Sequence, residues 1–126
     1  MVDITIQITY WQDGAKEDIE VAKQLVANDR IRHGLFFAHF AIEKLLKAKV
    51  CQTTNEIAPR MHNLVRLAEI AELNMTESTL DLLAEMNEFN LEGRYPVPFL
   101  IPISKSEAQN YIIKTEEVLK WLMQQL

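Results

Sequence analysis

Three lysines, Lys44, Lys47 and Lys49, stand close together near the end of a long apolar run, and Arg60, His62, Arg66 and Arg94 follow along the chain. If the fold gathers these cations, they form a local site for a phosphate or another anion. If it does not, the lysines complement the dipole at a helix C-terminus and reach out of an apolar surround on long stems. His39 and Glu43 are one helical turn apart and so could ligate together, but the aromatic and aliphatic residues around them favour a hydrogen-bonded His inside a helix interface. No metal is predicted. Arg32 with His39, about two turns apart on one face, and His62 with Arg66, about one turn apart, each pair a charge stabiliser with a proton carrier. Spacings of this kind arise readily by chance, so Arg94, Arg32, His39 and His62 are candidates and none is assigned as catalytic. The sequence has no glycine-rich phosphate loop and no nucleophile elbow, so no cofactor is predicted. Cys51 reads as a small apolar residue.

Helices must position these side chains. From Trp11 the apolar residues Ala15, Ile19, Ala22 and Val26 recur at steps of three and four, opposite Asp13, Lys16, Glu17, Glu20 and Lys23, which predicts a helix ending near Asn28-Asp29. Residues 34 to 50 are apolar around most of the circumference in their first half, the pattern of a central helix contacted on several sides. A short helix follows His62-Asn63, with Asn63 or the loop before it as cap. Another starts at Thr76 and is placed to end at Gly93, and a last one opens with Ser104 and Glu107 in a capping box. Residues 2 to 8 alternate between apolar Val2, Ile4, Ile6 and Ile8 and polar Asp3, Thr5 and Gln7, which predicts a strand. The proline-rich residues 97 to 103 are its possible partner, or else a polyproline-like crossover. The expected fold is therefore all-α: an antiparallel up-and-down bundle of four to five helices over residues 11 to 124, with an extended β-like arm at residues 1 to 10.

Composition agrees with one compact domain. The chain has 126 residues, 48% apolar and 25% charged, which excludes a disordered tail or a fibre. With 13 Lys plus Arg against 18 Asp plus Glu, the net charge of -5 means that any nucleic-acid site must be local. One cysteine excludes an intrachain disulfide and suits a reducing compartment, so a cytoplasmic location is expected. No signal peptide or membrane-spanning run is recognisable, and no membrane partner is expected.

The run His39-Phe40-Ala41-Ile42-Glu43-Lys44-Leu45-Leu46-Lys47-Ala48 resembles the signature of HEPN domains, in which a small residue, a Glu-Lys pair and a Lys-Ala end recur on the central helix. Pro59-Arg60-Met61-His62-Asn63-Leu64 is similar to the family's His-polar-Leu approach to the next helix, and Arg94-Tyr95-Pro96 to its Arg-Tyr-Pro turn. The order and spacing hold over about residues 11 to 124.

The resemblance implies a helical bundle that often forms a homodimer and often has a small nucleotidyltransferase as partner in prokaryotic toxin and antitoxin pairs. Some members are metal-independent ribonucleases and others are proposed to bind nucleotides. Glu43, Lys44 and Lys47 are the signature positions. Lys44, Lys47, Arg60, His62, Arg94 and Tyr95 are the expected nucleotide- or anion-binding residues. The ribonuclease members carry an Arg followed four to six residues later by His. Arg94 stands in the region for that Arg, but Pro98, Phe99, Leu100 and Ile101 follow with no His, so the motif is not intact. The expectation is a nucleotide- or RNA-binding and interaction module. An endoribonuclease toxin is the alternative, and so is a structural assembly protein that uses the Phe36, Phe37 and Phe40 surface.

Overall fold

The computed structural model describes residues 3–94 and 102–126, with residues 91–94 described by their backbone alone. Its elements are α1 (Ile4–Ala27), α2 (Ile31–Thr54), α3 (Leu64–Ile70), α4 (Glu77–Arg94) and α5 (Lys105–Gln125). Helix α2 packs against each of the other four, most extensively against α1. Its residues Leu35, Ala38, Ala41, Ile42, Leu45, Leu46, Ala48, Val50 and Cys51 are all buried, as the nearly all-round apolar pattern requires.

The strand expected at the N-terminus is a helix instead. Residues 4 to 10, the described part of the expected arm apart from Asp3, are the first turns of α1, and the Asp3 side chain caps them by accepting from the Ile6 amide. Ile4, Ile8, Trp11 and Ala15 recur at steps of four, three and four, so they also make a helical face. The structure packs the first three against the core that includes Ala15. Ile6, which the alternation groups with Ile4 and Ile8, is left 64% exposed. Of the strand partner expected at 97 to 103, residues 97–101 lie outside the described residues, and Pro102 and Ile103 are in neither helix nor strand.

Most helix ends follow from local chemistry. Asn63 caps α3 by accepting from the Arg66 amide. Thr76 Oγ1 accepts from the Thr79 amide at the start of α4, and α4 runs through Gly93 to Arg94. Ser104 and Glu107 exchange both bonds of the capping box on α5. Helix α1 ends in a Schellman turn: the Arg30 amide donates to Leu25 O and the Asp29 amide to Val26 O, with Asp29 left-handed at φ 63°. The same pair of bonds ends α3, where Leu73 donates to Ala68 O, Glu72 donates to Glu69 O and Glu72 has φ 57°. A side chain in this backbone region costs about 1–2 kcal/mol, and glycine's extra unfolded-state freedom offsets roughly half of that. Glu72→Gly is therefore expected to raise the unfolding free energy by about 0.5 kcal/mol in urea titrations.

Two glycines mark how closely the helices approach. A Cβ on Gly34 would lie 2.5 Å from Val26 Cγ2 and 3.1 Å from Ala22 O, so α1 and α2 meet there with no room for a side chain. The three atoms nearest to a Cβ on Gly14 all belong to the Lys44 side chain, with Cδ at 3.0 Å, and that flexible stem can move aside.

Candidate functional site

Glu43, on the fourth turn of α2, is only 4% exposed and joins neighbours on its own helix to the connection before α3. Its Oε2 accepts from Lys47 Nζ at 3.2 Å, one turn on, and its Oε1 accepts from His62 Nδ1 at 2.8 Å. One turn earlier, His39 Nε2 lies 3.0 Å from the backbone carbonyl of His62. A carbonyl and a carboxylate can only accept, so the proton is on Nε2 of His39 and on Nδ1 of His62. Helix α2 thus holds His62 by both backbone and ring. His39 Nδ1 lies 3.8 Å from Glu43 Oε1, and through the Nε2 bond His39 is a buried, hydrogen-bonded interface residue.

With Nδ1 turned to Glu43, Nε2 is the other polar atom of the His62 ring, an acceptor when the ring is neutral and a donor when it is protonated. The side chain is 44% exposed, so this imidazole is oriented by a buried carboxylate and open to solvent. Such an arrangement can accept a proton from a hydroxyl or, once protonated, donate to a phosphate oxygen. Arg60, two residues earlier on the same connecting segment, is exposed, and Arg66 pairs with Glu69 at 2.8 Å.

The three lysines do not converge. Lys44 Nζ lies 2.7 Å from Asp18 Oδ2 on α1 and 5.7 Å from the Phe40 ring centroid. Lys47, 6% exposed, lies between Glu43 and the Trp11 ring, whose centroid is 5.3 Å away. Lys49 Nζ donates to Gln125 O at 2.9 Å and to Gln52 Oε1 at 2.6 Å, so it satisfies the C-terminal end of α5. Each ammonium thus goes to a different partner. His39 is buried, while Arg32 is exposed two turns earlier. Arg94 closes α4, and its side chain and all of Tyr95 lie outside the described residues. Among the described residues no three His, Cys, Asp or Glu are grouped to hold a metal.

Sequence reasoning passes over Asp18 and Trp11 as partners. Asp18 is three residues after Ala15 and four before Ala22, inside the apolar stripe of α1. A carboxylate at such a position needs a cation, and that is the available signal. Since the nearest atoms to Gly14 belong to the Lys44 side chain, Gly14→Ala is expected to change stability by less than about 1 kcal/mol, because the helix-propensity gain opposes the displacement of that lysine.

Burial pushes the Cys51 thiol above its ordinary value of 9.0, and the Ala58 backbone and Trp11 indole oppose this only in part. The protonated thiol is therefore favoured by folding: its contribution to stability is full below the unfolded value and is lost as pH rises through the folded one. At pH 7.5 the native protein is expected to react with a thiol-specific disulfide reagent at least about tenfold more slowly than the urea-unfolded chain. Equal rates would show an accessible thiolate.

The central helix, the His62 segment and the capped late helix can be compared with known proteins. The HEPN domain family model matches residues 8–126. This chain belongs to the HEPN family. The match starts inside α1 and extends to the last residue, so it takes in part of the segment expected to be a separate arm. No curated protein sequence matches the chain. An archaeal HEPN homologue, ST0689, shares 20% identity at a TM-score of 0.73, covering 94% of this chain and 96% of that one. TT1696 from Thermus thermophilus shares 16% identity at a TM-score of 0.80, covering 95% and 98%. At these identities the two structures speak for the fold alone. Among the described residues no helix is long and apolar enough to cross a membrane.

Proposed function

We propose that this HEPN domain is a cytoplasmic nucleotide- or RNA-binding and interaction module that works as a homodimer or with a nucleotidyltransferase partner. The observation that supports the ligand reading is the half-exposed imidazole of His62, held by buried Glu43, with exposed Arg60 beside it in the chain. Lys47 supports His62 indirectly, by pairing with the Glu43 carboxylate that holds its ring, whereas Lys44 is paired with Asp18 on α1. Protonated His62 and Arg60 would each give a phosphate a charge-assisted bond, worth about 1.5–3 kcal/mol apiece. In anisotropy titrations with a labelled single-stranded RNA, and with ATP as competitor, His62→Ala and Arg60→Ala are each expected to weaken binding at least about tenfold. An unmodified protein that binds neither probe in low salt would overturn the reading.

A second reading, metal-independent RNA cleavage, is favoured by one feature: the Glu43–His62 pair leaves a ring nitrogen free to take the proton of a ribose hydroxyl. RNA incubated with the protein in chelator separates the two. Cleavage abolished by His62→Gln identifies an enzyme, and intact RNA leaves the binding module. The dimer reading is supported by Ile6 and Tyr10, one turn apart on α1 and exposed at 64% and 65%. Ile6→Glu is expected to reduce the sedimenting mass to that of one chain.

A further inference from the structure

Helices α4 and α5 meet closely at one end of their shared length. There the Phe89 and Tyr111 rings are 5.0 Å apart edge to face, Tyr111 OH donates to Glu85, and Thr115 Oγ1 lies 3.6 Å from Met86 Sδ. Toward the start of α4 and the end of α5 the two helices instead line an open groove of about 540 Å³. Its apolar floor is formed by Met75, Leu82, Val118 and Trp121, the middle two buried and the outer two half-buried. Along its walls stand the exposed or half-exposed carboxylates of Asp81, Glu85 and Glu117, against the single lining cation of Lys114.

From these features we infer that the groove between the first half of α4 and the second half of α5 is a docking site for a basic amphipathic helix of a partner protein. The lining residues recur at helical steps on two walls, so a third helix laid between them completes a local three-helix packing. From Ser78 to Glu85 the α4 wall is about two turns long, roughly 11 Å, and Met75, on the connection before α4, carries the apolar floor about one turn further. This length suits a segment of about ten to fourteen residues with apolar side chains at i, i+3 or i+4, and i+7. Charge selects the occupant. Three carboxylates against one ammonium repel RNA phosphates, and a second copy of a chain with net charge -5 is a poor match. Lysines or arginines flanking an apolar stripe would meet Asp81, Glu85 and Glu117 as the stripe covers Trp121 and Met75. The site is formed without Glu43 or His62, so it does not depend on the ligand reading above.

The test uses the full chain and a labelled fourteen-residue peptide with leucine at i, i+3/i+4 and i+7 and lysine elsewhere, followed by anisotropy. A second peptide replaces every lysine with glutamate. The lysine peptide is expected to bind, the glutamate peptide is not, and the double variant Asp81→Lys/Glu117→Lys is expected to weaken binding at least about tenfold. Asp13→Lys/Glu17→Lys makes the same change of net charge on exposed positions of α1 and is expected to weaken it less than about threefold. Equal losses in the two double variants would mean unspecific attraction and overturn the inference. So would equal binding of both peptides, no binding of the lysine peptide, or a self-associated protein that dissociates only when the groove is charge-reversed. RNA binding by the groove variant is expected to be unchanged, which separates this test from that of His62.

Discussion

Glu43→Ala is expected to lower the unfolding free energy by about 3–5 kcal/mol, the range for breaking a buried ion pair by removing one partner. Lys47 would be left 6% exposed with no carboxylate, and the ring of His62 would lose its acceptor. The loss should show as a fall in the urea midpoint with little change in slope. The paired replacement Glu43→Leu/Lys47→Met removes both charges and is expected to recover most of the stability, because the cost lies in the stranded ammonium rather than in the missing attraction. A loss below about 1 kcal/mol for Glu43→Ala would mean that solvent reaches Lys47 easily and that the pair does not organise the site. The double variant should also separate roles: it restores the fold but leaves His62 without its carboxylate, so RNA binding or cleavage should stay impaired while melting recovers.

The second large effect concerns the contact of α1 with α2. Gly34→Ala adds helix propensity worth about 1 kcal/mol, yet the new methyl group would sit 2.5 Å from Val26 Cγ2 and 3.1 Å from a backbone oxygen of α1. Val26 is a stiff, buried side chain and the oxygen belongs to the helix backbone, so neither yields without moving α1. Overpacking of this kind costs about 1–3 kcal/mol, and at this depth of overlap it outweighs the propensity gain. Gly34→Val should be worse still. In the background of Val26→Ala the closest clash disappears and the 3.1 Å approach to the α1 backbone remains, so Gly34→Ala should then cost clearly less than it does in the unmodified protein. A double-mutant cycle by chemical denaturation measures this coupling, and additive effects would show that the helices separate at no cost.

How much is legible in the sequence depends on the range of the interaction. The caps at Asn63, Thr76 and Ser104 are readable because donor and acceptor lie within three residues of each other. The central place of α2 is readable from its nearly uninterrupted apolar surface. The N-terminal segment reads as a strand because Ile4, Ile6 and Ile8 satisfy a period of two over a short window, whereas Ile4, Ile8, Trp11 and Ala15 satisfy the helical period over a longer one. Packing on the rest of the bundle decides between them, and Asp3 as a cap is the local sign of the outcome.

At the site, His39, Glu43 and His62 can be named singly, but the bond from Glu43 to His62 spans nineteen positions and needs the connection before α3 to fold back on α2. The lysines look like a patch because they are neighbours in the chain. Their long stems carry the charges to Asp18, Glu43 and the end of α5, and of these partners Glu43 alone is fixed by local spacing.

The indole of Trp11 stacked on the Lys47 ammonium gives the domain a built-in optical reporter. Indole emission responds to a nearby charge, and this charge is held by the same carboxylate that orients His62. In a Trp121→Phe background, any ligand that draws His62 away from Glu43 should change the emission of the remaining tryptophan, so occupancy could be followed in unlabelled protein, in real time.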